Sequence, residues 1–155
     1  MVRCLRRLLG LAIQIVLLGW FAAGVHEMFH YLVGKSLGIP GSIDFTWGGL
    51  GLYQPLVYLG PLENALVGLA GGVGTGLVFG GLWLVSHFQL KASLSEVDNT
   101  VSFFLIAAMN LVYAPFDAWH SYPVPLWSLA FVLVLPLVAA GWLYWDELLG
   151  WMTEP

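Results

Sequence analysis

Charge is what this chain has least of. Of 155 residues, five are Lys or Arg and nine are Asp or Glu, so 9% are charged. A soluble domain typically carries about 25%. With 59% of residues hydrophobic and a mean hydropathy of +0.85, the chain cannot cover a water-facing surface with polar groups. A soluble globular domain is therefore excluded, and the class is an integral membrane protein embedded in a lipid bilayer. No basic patch exists for nucleic acid, and the net charge of −4 is spread along the chain. Cys4 is the only cysteine, so no intrachain disulfide can form. The four apolar segments show no internal repeat of the kind that marks secondary transporters. The glycine run "GGVGTG" (71–76) lacks both the Gly-x-Gly-x-x-Gly frame and a surrounding βαβ unit, so it is not a nucleotide loop.

What is there is a series of long apolar runs. Leu8 to about Val33, Ala65 to about Val85, Val101 to about Trp119 and Leu126 to about Trp145 each suffice to span about 30 Å of hydrocarbon. The fold predicted is an all-α polytopic membrane protein of about four transmembrane helices, forming a single domain over residues 1–155. Pro115 is expected to interrupt the third helix and Pro136 to kink the fourth. Trp127, Trp142 and Trp145 suit the interfacial belt. "RCLRR" with a later "AAG" has the outline of a signal peptide, but the apolar run continues past that point, which favours a retained span. Arg3, Arg6 and Arg7 predict a cytoplasmic N-terminus.

Between the first two runs, Lys35 to Gly60 is rich in glycine and carries Pro40 and Pro55. Ile43, Phe45 and Trp47 alternate, a Gly48-Gly49 pair follows, and Leu50 and Leu52 come next. This predicts a short membrane-associated β-hairpin over residues 43–54 with a two-residue turn at Gly48-Gly49. Bare strand edges are not tolerated in lipid, so such a hairpin must pack on protein or line a wet cavity. In the second helix, Gly68, Gly72, Gly76 and Gly80 fall at steps of four on one face. That spacing lets another helix approach closely.

The stretch "GVHEMFHYLVG" (24–34) places three ionisable groups in the first apolar helix. His26 and His30 are four apart and share one face. Two imidazoles so placed can bind one Zn²⁺, and Glu27 projects beside them, where it can take a proton from a water polarised by the metal and pass it to a leaving amine. His-Glu-x-x-His on a helix is a metalloprotease pattern. Ionisable groups inside a span are costly and are kept for function. A catalytic zinc needs a third protein ligand. Asp117, the acid of the third apolar run, is the first choice, with His120 and His87 as rivals.

These segments together resemble a known family. "HEMFH" on a membrane helix, a Gly-rich hairpin, "GPLEN" and then "NLVYAPFDA" look like the site-2 proteases, intramembrane zinc metalloproteases. Gly60, Pro61 and Asn64 match the family's Gly-Pro-x-x-Asn motif. Asn110, Pro115 and Asp117 match its later Asn-x-x-Pro…Asp-Gly motif, with Ala118 in place of the glycine and Tyr113 where the first proline often lies. The resemblance spans residues 20–120. It implies one Zn²⁺ per chain held by His26, His30 and Asp117, with Glu27 as base. Asn64 is then either a donor to the substrate carbonyl or a cap for the second helix. It also implies a hairpin that handles substrate, and a site nearer the cytosol than the arginines would place it. The function expected is hydrolysis of peptide bonds in or near transmembrane helices of other membrane proteins. The alternatives are a non-proteolytic membrane protein that keeps the metal site for structure, sensing or partner binding, and a small transporter.

Overall fold

The computed structural model describes residues 2–45, 51–90, 97–119 and 126–153. In chain order the elements are α1 (Val2–Ser36), β1 (Gly41–Phe45), β2 (Gly51–Pro55), α2 (Pro61–Leu90), α3 (Val97–Trp119), α4 (Leu126–Leu143) and α5 (Trp145–Thr153). Among the described residues, three helices are long and apolar enough to cross a membrane, within Cys4–Ser36, Pro61–Gln89 and Val97–Ala118. Ala130–Leu143 and Trp145–Thr153, bent by 74°, make a fourth span if counted as one.

Local signals fix where these helices stop and start. α1 ends in a Schellman motif. Gly38 takes a positive φ of 74°, its N–H donates to the Lys35 carbonyl, and the Ile39 N–H donates to the Gly34 carbonyl at 2.9 Å. Pro40 follows and cannot continue a helix. Ile39 is buried with Tyr53 and Val67, which ties this helix end to the hairpin and to α2. α2 begins at Pro61, whose fixed φ suits a first helical position. The Glu63 carboxylate reaches back to accept the Gly60 N–H at 2.8 Å. Glu63, not Asn64, is thus the side chain that caps α2.

The interruption expected at Pro115 is absent. α3 runs unbroken through Pro115, and α4 runs through Pro136. Each proline forfeits one backbone bond, and the remaining bonds of the helix carry it through. Pro136 is among the most fully buried residues. The sharp turn comes instead at Tyr144, between α4 and α5. Its ring is buried among Val97, Val101, Leu105, Ala140 and Trp151, and its hydroxyl accepts the Trp83 Nε1–H and contacts His87 Nδ1 at 3.3 Å. Arg7 donates to the Trp151 carbonyl and lies 5.7 Å from that ring's centroid, fastening α5 to the first turns of α1.

α2 is the centre of the bundle because its glycines open two faces. On one, a Cβ at Gly68 would lie 2.6 Å from Ala118 Cα, and one at Gly72 would lie 2.6 Å from both Ala114 Cβ and the Asn110 carbonyl. One at Gly76 would lie 2.5 Å from Leu111 Cγ. The expected stripe therefore seats the α3 backbone at Gly68 and Gly72 and the Leu111 side chain at Gly76, while a Cβ at Gly80 would meet nothing within 4 Å. On the other face, Gly71 and Gly74 receive side chains of α1, with Phe29 lying on Gly74. α1 is otherwise largely at the surface, with 6% of its apolar window buried, but Ala22 packs on Phe79, Ile106 and Ala107 and Gln14 donates to Asn99 at 2.9 Å.

β1 and β2 pair antiparallel, with Gly41 opposite Pro55, Ile43 opposite Tyr53 and Phe45 opposite Gly51. The Gly48-Gly49 turn lies outside the described residues. The register corrects that expectation even so. An unbulged two-residue turn there would set Phe45 opposite Leu52, whereas Asp44 holds that place. A one-residue slip exchanges the faces. Tyr53 therefore turns inward and is buried, while Leu52 is exposed.

Candidate metal centre

His26 and His30 project from α1 towards α2 and α3 and are 8% and 7% exposed. Their rings meet edge to face at 4.6 Å. Asp117, near the end of α3, brings one oxygen to both: Oδ2 lies 3.0 Å from His26 Nε2 and 3.0 Å from His30 Nε2. A residue 91 positions along the chain from His26 arrives there because α3 packs tightly on α2. Gly71 makes the room. A Cβ at that position would lie 2.6 Å from His26 Nε2 and 2.5 Å from His30 Cε1.

The outer contacts set the tautomers. Asn110 Nδ2 donates to the Ile106 carbonyl, which leaves Oδ1 facing His26. His26 Nδ1 donates to that oxygen at 3.1 Å. His30 Nδ1 donates to the Val67 carbonyl at 2.5 Å. With both Nδ1 atoms carrying protons, both Nε2 atoms turn lone pairs towards the same carboxylate oxygen. Two ring nitrogens and a carboxylate oxygen this close require positive charge among them, either a proton on an imidazole or a metal ion. Tetrahedral zinc with bonds of 2.0–2.1 Å sets its ligand atoms about 3.3 Å apart, close to the 3.0 Å seen here. The donor set and the space at Gly71 both fit a metal ion.

His26, Glu27 and His30 form a group able to hold a metal ion, with their ligand-type atoms all within 4.8 Å of one another. Glu27 differs from the histidines in its engagement. Its Oε2 accepts the backbone N–H of Tyr53 at 2.7 Å. Glu27 also lines two clefts. One, of about 160 Å³, lies beside the hairpin and includes His30, Tyr53, Asn64, Val67, Gly68 and Asp117. The other, of about 310 Å³, lies between α1 and α3 and includes Gly19, Ala22, Ala23, His26, Asn110 and Tyr113. Asn64 is exposed at the first cleft, and its Nδ2 reaches the Ala118 carbonyl only at 3.5 Å, near the limit for a hydrogen bond.

The structure thus brings together His26, Glu27, His30, Asn64 and Asp117. His87 is on the last turns of α2 with Trp83 and Tyr144. His120 lies outside the described residues. Sequence reasoning missed Gly71, Val67 and Tyr53. The adjacent pair Gly71-Gly72 held a signal for the first, since two neighbouring glycines in a helix open two faces rather than one. The Val67 carbonyl and the Tyr53 N–H are backbone groups with no side-chain signature. Comparisons with family models, curated proteins and solved structures returned no match.

Proposed function

We propose that this chain is an intramembrane zinc endopeptidase of the site-2 protease kind, hydrolysing peptide bonds in or near transmembrane segments of other proteins. The observation that carries the reading is the convergence of His26 Nε2, His30 Nε2 and Asp117 Oδ2, with the Glu27 carboxylate beside them. A structural site needs ligands, but it does not need a neighbouring carboxylate that a backbone N–H holds beside them.

His26, His30 and Asp117 would hold Zn²⁺, which as a Lewis acid polarises a carbonyl and makes water more acidic. The remaining work falls to the chain's own groups. Glu27 takes a proton from water, the water oxygen bonds to the carbonyl carbon, and Glu27 delivers the proton to the nitrogen as the C–N bond breaks. Asn64, exposed in the same cleft and not needed as a helix cap, donates from Nδ2 to the substrate carbonyl as it gains charge. The hairpin-side cleft gives water a route to Glu27 past Asn64 and Pro55. A substrate helix must open locally to expose an amide, which favours segments with Gly or Pro, residues costing a helix about 1 and 3 kcal/mol relative to Ala.

The test uses purified protein in liposomes with a transmembrane reporter containing Gly and Pro. Wild type should carry one zinc per chain and cut the reporter. Glu27→Gln should keep its zinc and lose about 10²–10⁴-fold in rate. Asp117→Ala should lose the zinc. Cleavage by Glu27→Gln at the wild-type rate refutes the protease reading.

A further inference from the structure

The engagement of Glu27 with the hairpin rests on the register of the sheet. Leu56 N–H donates to the Pro40 carbonyl at 2.8 Å, which makes 40 and 56 a hydrogen-bonded pair. Antiparallel pairs alternate. Ser42 with Gln54 and Asp44 with Leu52 are then bonded pairs, and Ile43 with Tyr53 is not. The Tyr53 N–H therefore points off the free edge of β2, away from β1. It is there that Glu27 Oε2 accepts it at 2.7 Å. Two residues on, Pro55 has no N–H to offer.

The Tyr53 side chain explains why the edge sits at that distance. Its ring is buried in a notch between the end of α1 and the start of β1. A Cβ at Gly34 would overlap the hydroxyl and lie 3.0 Å from Cζ, and one at Gly41 would lie 2.5 Å from Cε2. Tyr31 closes the notch, its ring centroid 6.3 Å away in an edge-on approach. The hydroxyl is buried with no hydrogen-bond partner among the described residues, and burial raises its pKa above the ordinary phenol value, with Tyr31 adding to the shift. The ring acts here by shape alone.

We propose that Tyr53 is a positioning residue for Glu27. Its ring, pegged between Gly34 and Gly41, holds the outward N–H of β2 on one oxygen of the carboxylate and leaves the other oxygen to the metal centre. The catalytic half of this statement rests on the protease reading above; the contact itself does not. A backbone N–H donating to a carboxylate is a short, strong bond, and a fixed strand loses no entropy in making it. A flexible glutamate is thereby reduced to one presentation, which is what a general base requires.

Two readouts separate the parts. The first is amide hydrogen exchange of the wild-type protein and its variants, followed by NMR. The Tyr53 amide should be protected although it lies on a free edge. Glu27→Ala should speed its exchange by about 10–100-fold, the worth of a hydrogen bond to a charged group, while the ladder amide of Gln54 is unchanged. Gly34→Leu, which evicts the ring, and Tyr53→Ala, which removes it, should expose the amide of residue 53 with Glu27 intact. The second readout is reporter cleavage. Both variants should lower kcat by about 10²-fold, the cost of misplacing a reacting group by about 1 Å, with KM and zinc content near wild type. Tyr53→Phe, which keeps the peg, should match wild type in both readouts. Exchange at Tyr53 that ignores Glu27→Ala overturns the proposal, as does a Tyr53→Phe variant as impaired as Tyr53→Ala. Protection that depends on Glu27 in a protein that cuts no reporter leaves the contact standing and sinks only the protease reading.

Discussion

Replacing Gly71 with alanine should empty the proposed zinc site while strengthening the helix that carries it. The added Cβ would sit 2.6 Å from His26 Nε2 and 2.5 Å from His30 Cε1, where ordinary contact begins at 3.4 Å. His30 Nε2 would lie closer still, so one or both rings must retreat by roughly 0.8–1 Å. Ligand distances in a metal site tolerate about 0.2 Å, so the movement is several times what coordination allows. The rings cannot retreat freely either, because each is tied through Nδ1, to Asn110 on one side and to Val67 on the other. Breaking one such outer contact typically costs 10–100-fold in metal affinity. Displacement of both ligands should cost at least about 10²-fold. Helix propensity acts in the opposite direction, since alanine is favoured over glycine by about 1 kcal/mol within a helix. Gly80→Ala is the control: it receives the same propensity gain and meets nothing within 4 Å. Elemental analysis of the purified proteins, with chelator competition for affinity, provides the assay. Wild type and Gly80→Ala should bind one equivalent alike, and Gly71→Ala should bind little. A Gly71→Ala protein that holds zinc with wild-type affinity would show that the two Nε2 atoms do not face the metal.

Three further outcomes follow from the same contacts. Asn110→Ala leaves His26 Nδ1 without its acceptor, so zinc affinity should fall by about 10–100-fold with the helices intact, measured by the same competition. Glu63→Ala should lower thermal stability by about 1 kcal/mol through the lost cap, whereas Asn64→Ala should leave melting and zinc unchanged and lower kcat by about 10²–10³-fold; a drop in melting for Asn64→Ala would return the capping role to it. Gly72→Ala should force α2 from α3, since its Cβ would meet Ala114 and the Asn110 carbonyl at 2.6 Å. Overpacking of this kind costs about 1–3 kcal/mol and should loosen zinc as well, because Asn110 and Asp117 move with α3.

The sequence by itself determined whatever depends on neighbours along one helix or on bulk composition. Few charges and long apolar runs required a membrane bundle. The four-residue spacing of His26 and His30 placed them on one face before any packing was known, and Pro61 marked where α2 begins. The apolar run put the end of α1 near Val33, but the helix continues to Ser36 and stops where Gly38 takes a positive φ, which only glycine does without strain. Tertiary structure decided the rest. Pro115 reads as a break, yet α3 runs through it, since packing along a whole helix outweighs one lost bond. The hairpin register was not specified by periodicity, and it made Tyr53 rather than Gln54 the partner of Ile43, with Tyr53 buried and Leu52 exposed. The approach of Asp117 to both histidines depends on how α2 and α3 are rotated against each other. That rotation is set by which glycines face which neighbour: Gly68 and Gly72 admit the α3 backbone, and Gly71, one position from Gly72, admits the rings of α1. A spacing rule reads one face at a time. The centre forms where two faces of one helix meet two different neighbours, and only the packed bundle brings those faces together.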